Sequence, residues 1–351
     1  MDISPAPDRA NAADIVAQFA DEKKTPLRRL QHVLHRYPTI VPFVVLGVGL
    51  AVFSAIVGDR FFQPFNLSLI MQQVTIIAII GIAQTLVILT AGIDLSVGAI
   101  MILATIVMGR LAVVMGVPAE LAFAIGLLVG CACGAVNGVL ITYLRLPPFI
   151  VTLGTWSVFG ATFLWYSGSQ TIRAQEVAAE APFLQFTGTA LQYAGARLTF
   201  GTIIAVALAA AVWYILNRTA FGRHVYATGD DPEAARLSGI DTRRVLLSVY
   251  TLAGVICTIG AWVLIGRVGA ISPTSGGTAN LDSITATVIG GTSLFGGRGS
   301  IVGTLVGALI VGVFAMGLRI YGTDPQWTRL TVGALIILAV AADQWIRKVS
   351  A

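Results

Sequence analysis

The chain has 351 residues, 56% of them hydrophobic and only 11% charged, with a mean hydropathy of +0.85. Soluble domains carry about 25% charged residues, so disorder and a disulfide-stapled scaffold are excluded for the chain as a whole. The net charge of +5 forms no basic stripe along a soluble face, which excludes nucleic acid as a partner. These values leave an all-α, polytopic membrane protein with lipid as its main surroundings.

Residues 1–38 read as a cytoplasmic tail followed by an interfacial helix. Asp2, Asp8, Asp14, Asp21 and Glu22 stand where a secretory signal would place its apolar core. From Pro26 to Tyr37, Leu27, Leu30, Leu34 and Tyr37 recur at helical spacing with Arg28, Arg29, His32 and Arg36 largely off that stripe, as in a helix lying on a membrane surface. His32 and His35 read as part of the solvated face rather than a metal pair.

Ten apolar stretches follow in 39–346: 39–57, 68–90, 96–116, 119–144, 149–168, 199–217, 245–266, 281–295, 299–319 and 326–346. A crossing helix needs about 20 residues, so the eighth is too short for a regular span and is expected to be broken or tilted. With the N-terminus inside, 15 of the 22 basic residues fall on the cytoplasmic side and seven on the outer side, which predicts that both termini, including the tail 347–351, are cytoplasmic. Two segments protrude: an outer one, about 169–198, and an inner one, about 217–244. Neither they nor the tail make a soluble domain of ordinary size, so an ATPase or receptor domain is expected on other chains.

Thr90-Ala-Gly-Ile-Asp-Leu-Ser-Val-Gly98 and Ile289-Gly-Gly-Thr-Ser-Leu-Phe-Gly-Gly297 are small-residue breaks between apolar helices. Both fall at cytoplasmic turns, six spans apart, whereas a five-span repeat would give the opposite orientations of an inverted repeat; broken helices are where transporters admit a polar solute. Asp94, in the first break, either caps a helix starting at Leu95 or titrates in a proton-coupled secondary transporter. Without a second intramembrane acid to relay with, capping is favoured. Gln72, Gln73, Gln84, Asn137 and Thr152 are neutral polar groups in or beside the spans, suited to a hydroxylated solute or to each other. Trp156 and Trp165 offer aromatic faces to a sugar, although Trp165 sits where interfacial anchors occur. Gln73, Gln84, Asp94, Asn137, Thr152 and Trp156 are therefore the candidate solute-path residues.

Gly126, Gly130, Gly134 and Gly138, with Gly299, Gly303 and Gly307, read as helix-packing grooves and not as solute contacts. Cys131, Cys133 and Cys257 sit in apolar stretches and read as packed interior. No metal site or catalytic residue emerges. Gly291-x-x-x-x-Gly296 is followed by Gly297 and Arg298 where a phosphate loop needs Lys and a hydroxyl.

The inner segment carries a helix signature near its middle. Asp230 or Asp231 suits an N-cap, Pro232 the first helical position and Glu233 the positive end, while Gly239 stops a helix of about two turns. Such a rigid, charged knob fits a docking helix that receives force from a cytoplasmic partner.

Here the sequence resembles a known family. Glu233-Ala234-Ala235-x-x-x-Gly239 resembles the EAA-type coupling motif of ATP-binding cassette (ABC) importer permeases, in the form found in the ribose/xylose/fructose-type monosaccharide permeases. The likeness extends through Thr90–Ala99, Leu146-Pro-Pro-Phe-Ile-Val-Thr-Leu-Gly154 and Gly290–Ser300, and Thr171-Ile-Arg-Ala-Gln, Gly322-Thr-Asp-Pro-Gln-Trp and Asp343-Gln-Trp-Ile-Arg-Lys favour its fructose branch. The resemblance implies the ABC importer permease fold in a bacterial inner membrane and two permease copies around one pathway. It also implies a cytoplasmic ATPase that uses ATP and Mg, none bound by this chain, and a periplasmic sugar-binding protein. Asp230, Asp231, Pro232, Glu233, Ala234, Ala235 and Gly239 would sit in the ATPase cleft, with Arg173 and Glu176 as rim contacts for the binding protein. A pentose permease is the nearest alternative, and a membrane scaffold a third.

Overall fold

The computed structural model describes residues 40–347. The expected tail and interfacial helix, His32, His35 and the residues after 347 lie outside the described residues.

Among the described residues, eight helices are long and apolar enough to cross a bilayer. In chain order the helices begin with α1 (Ile40–Val57), α2 (Pro64–Leu89), α3 (Val97–Gly109, continued by a π-turn Arg110–Val114), α4 (Ala119–Thr142) and α5 (Pro148–Ser167). After two short outer helices, α6 (Ala174–Glu180) and α7 (Pro182–Gln185), come α8 (Phe200–Arg218), then α9 (Ala220–Asp230) and α10 (Pro232–Leu237), then α11 (Thr242–Val268). The chain continues through α12 (Ala279–Ile289), α13 (Ile301–Tyr321) and α14 (Pro325–Arg347). Each predicted span corresponds to one helix. The eighth, α12, has 11 residues, about 16 Å at 1.5 Å per residue, roughly half a hydrocarbon core.

The helix starts follow local chemistry. Pro64 and Pro148 occupy first-turn positions where no N–H is needed, and the Thr199, Thr219, Asp231, Asp241 and Ser300 side chains accept backbone N–H groups at the starts of α8, α9, α10, α11 and α13. The outer segment holds an antiparallel hairpin the sequence reading did not anticipate, β1 (Ala190–Tyr193) with β2 (Ala196–Thr199). Its turn residues Ala194 and Gly195 both have positive φ, 48° and 83°, as a two-residue hairpin turn with right-handed strand twist requires.

α2 is the central element, buried along most of its length against α11, α12 and α13. α4 packs backbone to backbone on α11. A Cβ on Gly130 would collide with Thr258 and the Gly254 carbonyl, and one on Gly134 with the Tyr250 carbonyl. The glycines of the fourth span thus act as the close-approach groove their spacing predicts, and Gly303 and Gly307 do the same against Gly290 and Ala286 of α12. α1 and α5 expose most of their apolar surface, and Trp165, at the outer end of α5, is 81% exposed.

Candidate functional site

The helix in the inner segment is real and its cap is Asp231. Asp231 Oδ1 accepts the Glu233 and Ala234 N–H groups at 2.9 and 3.0 Å, with Pro232 next in the first turn. Asp230, the other candidate cap, instead ends α9, a helix the sequence reading left within the connector. The six residues of α10 make less than the two turns expected. Ala235 is its one buried residue, Asp231 to Ala234 face outward, and Leu237 is 86% exposed. Gly239 closes the helix with a φ of +85°, a conformation that favours glycine.

α9 anchors this knob to both breaks. Gly229 packs directly on the Leu89 carbonyl, where α2 ends, and that same carbonyl accepts the Gly297 N–H at 3.0 Å. Asp230 lies against Gly297, and Tyr226 donates its hydroxyl to the Gly299 carbonyl at 2.9 Å. Burial pushes the Tyr226 phenol above its ordinary pKa, so it remains a neutral donor. The first break, the second break and the exposed helix thus form one platform. Its contacts are largely backbone to backbone between residues 89, 229 and 297, and no side-chain pattern announces them.

Four of the six candidate solute-path residues converge on the first break. Asp94 Oδ1 accepts the Ser96 N–H at 2.7 Å and the Ser96 hydroxyl at 2.6 Å, and Asn137 donates to the same hydroxyl at 2.8 Å. Thr152 donates to the Ile93 carbonyl at 3.0 Å. In the amide orientation that satisfies both groups, Gln84 donates to the Asp94 carbonyl at 3.1 Å and accepts from its N–H at 3.3 Å. All four side chains are essentially enclosed. Asp94 therefore does not cap the helix as expected: it folds the preceding turn onto Ser96, and the helix begins at Val97, not Leu95, with Ser96 at its N-cap.

Gln73 and Trp156 lie apart from this cluster. Gln73 accepts from Arg267 toward the opposite end of α2 and α11, and Trp156, one turn beyond Thr152 on α5, is 45% exposed and makes no hydrogen bond to the cluster among the described residues. Arg173 and Glu176 are exposed as expected. Glu176 accepts the Arg173 N–H at 3.0 Å, and both line a cavity of about 460 Å³ with Arg110, Ser167, Gln170 and Thr171. Arg110 extends over the Tyr166 ring, 5.3 Å from its centre.

One acid was missed. Asp282 stands in the first turn of α12 and accepts the Thr278 hydroxyl at 2.9 Å. It is a second acid among the apolar elements, contrary to the expectation that Asp94 stands alone. Its place in a predicted apolar span was the available signal.

The chain matches the family described as branched-chain amino acid transport system / permease component over residues 66–340. It is 56% identical over 342 residues to the fructose import permease protein FrcC of Rhizobium meliloti, covering 97% of this chain and 95% of the relative. It is 36% identical over 311 residues to the ribose import permease protein RbsC of Bacillus subtilis, covering 86% and 92%. The galactose/methyl galactoside import permease protein MglC of Escherichia coli K12 is 36% identical over 315 residues, covering 86% and 92%. No solved structure matches the chain.

Proposed function

The chain belongs to the family of branched-chain amino acid transport system / permease components, and we propose that it is the membrane-spanning subunit of an ABC importer that carries a monosaccharide, fructose first, across a bacterial inner membrane. The observation that carries the reading is the Asp231-capped helix, held out from the platform where both breaks meet. A helix so exposed, yet braced through Gly229 on the ends of two membrane elements, transmits a push from a cytoplasmic ATPase to the helices that line a path. The likeness to FrcC at 56% identity directs the substrate to fructose in preference to ribose or xylose.

In this reading two permease copies form the path, the ATPase uses ATP and Mg, and a periplasmic binding protein delivers the sugar to the outer end, where Arg173 and Glu176 form part of the rim. Both termini face the cytoplasm. The chain itself performs no bond chemistry; it converts a movement at α10 into a change of access. Gln84, Asp94, Asn137 and Thr152 act by fixing the first break, so that the movement reaches α3 as a displacement of the whole turn.

The test is uptake of labelled sugar into proteoliposomes holding the permease and ATPase, with binding protein added outside. Fructose uptake should require ATP and binding protein and survive collapse of the proton gradient. Uptake that persists without ATP and disappears with the gradient would establish secondary transport instead.

A further inference from the structure

Between α11 and α12 the chain descends along α3 without forming a helix. Ile271 exchanges two backbone hydrogen bonds with Ile172, at 2.9 and 3.0 Å, beside Gly109 at the outer end of α3. Gly276 then lies against Met101 and Ile102, and Asn280 against Gly98, where its amide donates to the Leu95 carbonyl at 3.4 Å. From Gly109 down to Met101 is about 12 Å of helix and to Gly98 about 16 Å, so the irregular stretch together with the first turn of α12 reaches about half-way through a ~30 Å hydrocarbon core.

The stretch reads Ser272-Pro-Thr-Ser-Gly-Gly-Thr278 and much of it is uncovered. Thr274, Gly276, Gly277 and Thr278 are exposed, a Cβ on Gly277 would meet nothing within 4 Å, and Asp282 below them is partly exposed. Ser272 holds Thr171 and Thr274 through hydroxyl bonds of 3.0 Å each. Thr278 occupies Asp282 Oδ2, and no described residue bonds Oδ1.

Lipid cannot cover such a surface. Irregular backbone at bilayer depth is tolerated only where protein buries it or water borders it, and an acid there costs about 2.5–3.5 kcal/mol on insertion scales. Leu281 is the one large apolar side chain the strip exposes; the rest is hydroxyls, bare glycine backbone and a carboxyl group, for which water is the covering that fits. We propose that Thr274–Asp282 forms the wall of the solute path in its outer half, with the Thr278 hydroxyl and the free Asp282 oxygen bonding the hydroxyls of a neutral monosaccharide as it passes. The inference rests on the sugar-permease reading. It moves the solute contacts from the enclosed Gln84–Asp94–Asn137–Thr152 cluster to an uncovered strip that offers both donors and acceptors.

The experiment uses the full importer in proteoliposomes. Thr274→Cys and Gly277→Cys variants are treated with a charged, water-soluble methanethiosulfonate, against the baseline of native Cys131, Cys133 and Cys257. Both positions should label from the aqueous phase in at least one nucleotide state. Asp282→Asn should raise the KM for sugar uptake about tenfold, the value of one charge-assisted hydrogen bond, with Asp282→Glu partly restoring it and ATPase binding unchanged. Resistance of both cysteines to the charged reagent in every state, alongside reaction with a neutral membrane-permeant maleimide, overturns the proposal, as does wild-type KM in Asp282→Asn. The labelling needs no sugar, so a wrong substrate assignment leaves it intact, whereas failure of the proposal leaves wild-type uptake untouched.

Discussion

Asp231 accepts two backbone N–H groups in open water, whereas Asp94 makes its bonds to Ser96 in an enclosure that excludes water. The same side chain therefore has a local job at one site and a structural one at the other. Losing the Asp231 cap costs about 1 kcal/mol, small against a whole membrane protein but large for a six-residue helix with one buried side chain. Asp231→Ala should leave the amount of membrane-inserted permease unchanged and lower sugar uptake several-fold. Glu233→Lys, which reverses the charge on the exposed first turn, should abolish uptake at normal abundance; immunoblotting beside a transport assay reads both. Wild-type uptake in Glu233→Lys would remove α10 from the coupling route. This helix was legible because its cap, first-turn proline and terminal glycine are all local. The roles of Gln84, Asn137 and Thr152 were not, because a polar residue in an apolar run signals only that it needs a partner. Here the partners are Asp94, Ser96 and Ile93, on a turn no periodicity describes.

At the scale of elements, hydrophobic runs placed nine of the ten helices to within four residues at each end, while the eighth stops at Ile289, six residues short of its predicted end; length and apolarity largely decide which segments enter lipid. The surprises fall where those signals vanish. Residues 271–278 are largely polar and glycine-rich and fall between two predicted spans, yet they track α3 downward, and the hairpin 190–199 carries too few residues to show alternation. Glycine spacing was a good guide to packing. Gly130→Ala should abolish recovery of folded permease, because its new methyl meets backbone of α11 that cannot step aside. Gly154→Ala and Gly160→Ala on α5, where a Cβ meets nothing within 4 Å, should yield normal amounts of protein. Fluorescence-detected size exclusion in detergent separates the two cases, and equal profiles would refute the close-packing account of α4 and α11.

For the whole molecule, the ends of the helices sort into two surfaces. One gathers 89–97, 218–245 and 289–301, and the other the hairpin, α6, and the 267–271 turn. The excess of basic residues on the first supports the cytoplasmic position proposed for it. Leu237→Cys and Tyr193→Cys, both at positions 86% exposed, test that assignment directly. An impermeant maleimide should modify the first only in inverted vesicles and the second only in right-side-out ones. The reverse pattern would turn the molecule over.

The Leu89 carbonyl is shared between the Gly297 N–H and the packed backbone of Gly229. The end of α2, the second break and α9 consequently share one atom, in addition to the long helix interfaces between the two halves, so a displacement of one at this point bears on the other two. In a carrier built this way, a state with one half advanced and the other retracted has to break that shared contact, and such a half-turned state is where a sugar would slip back out.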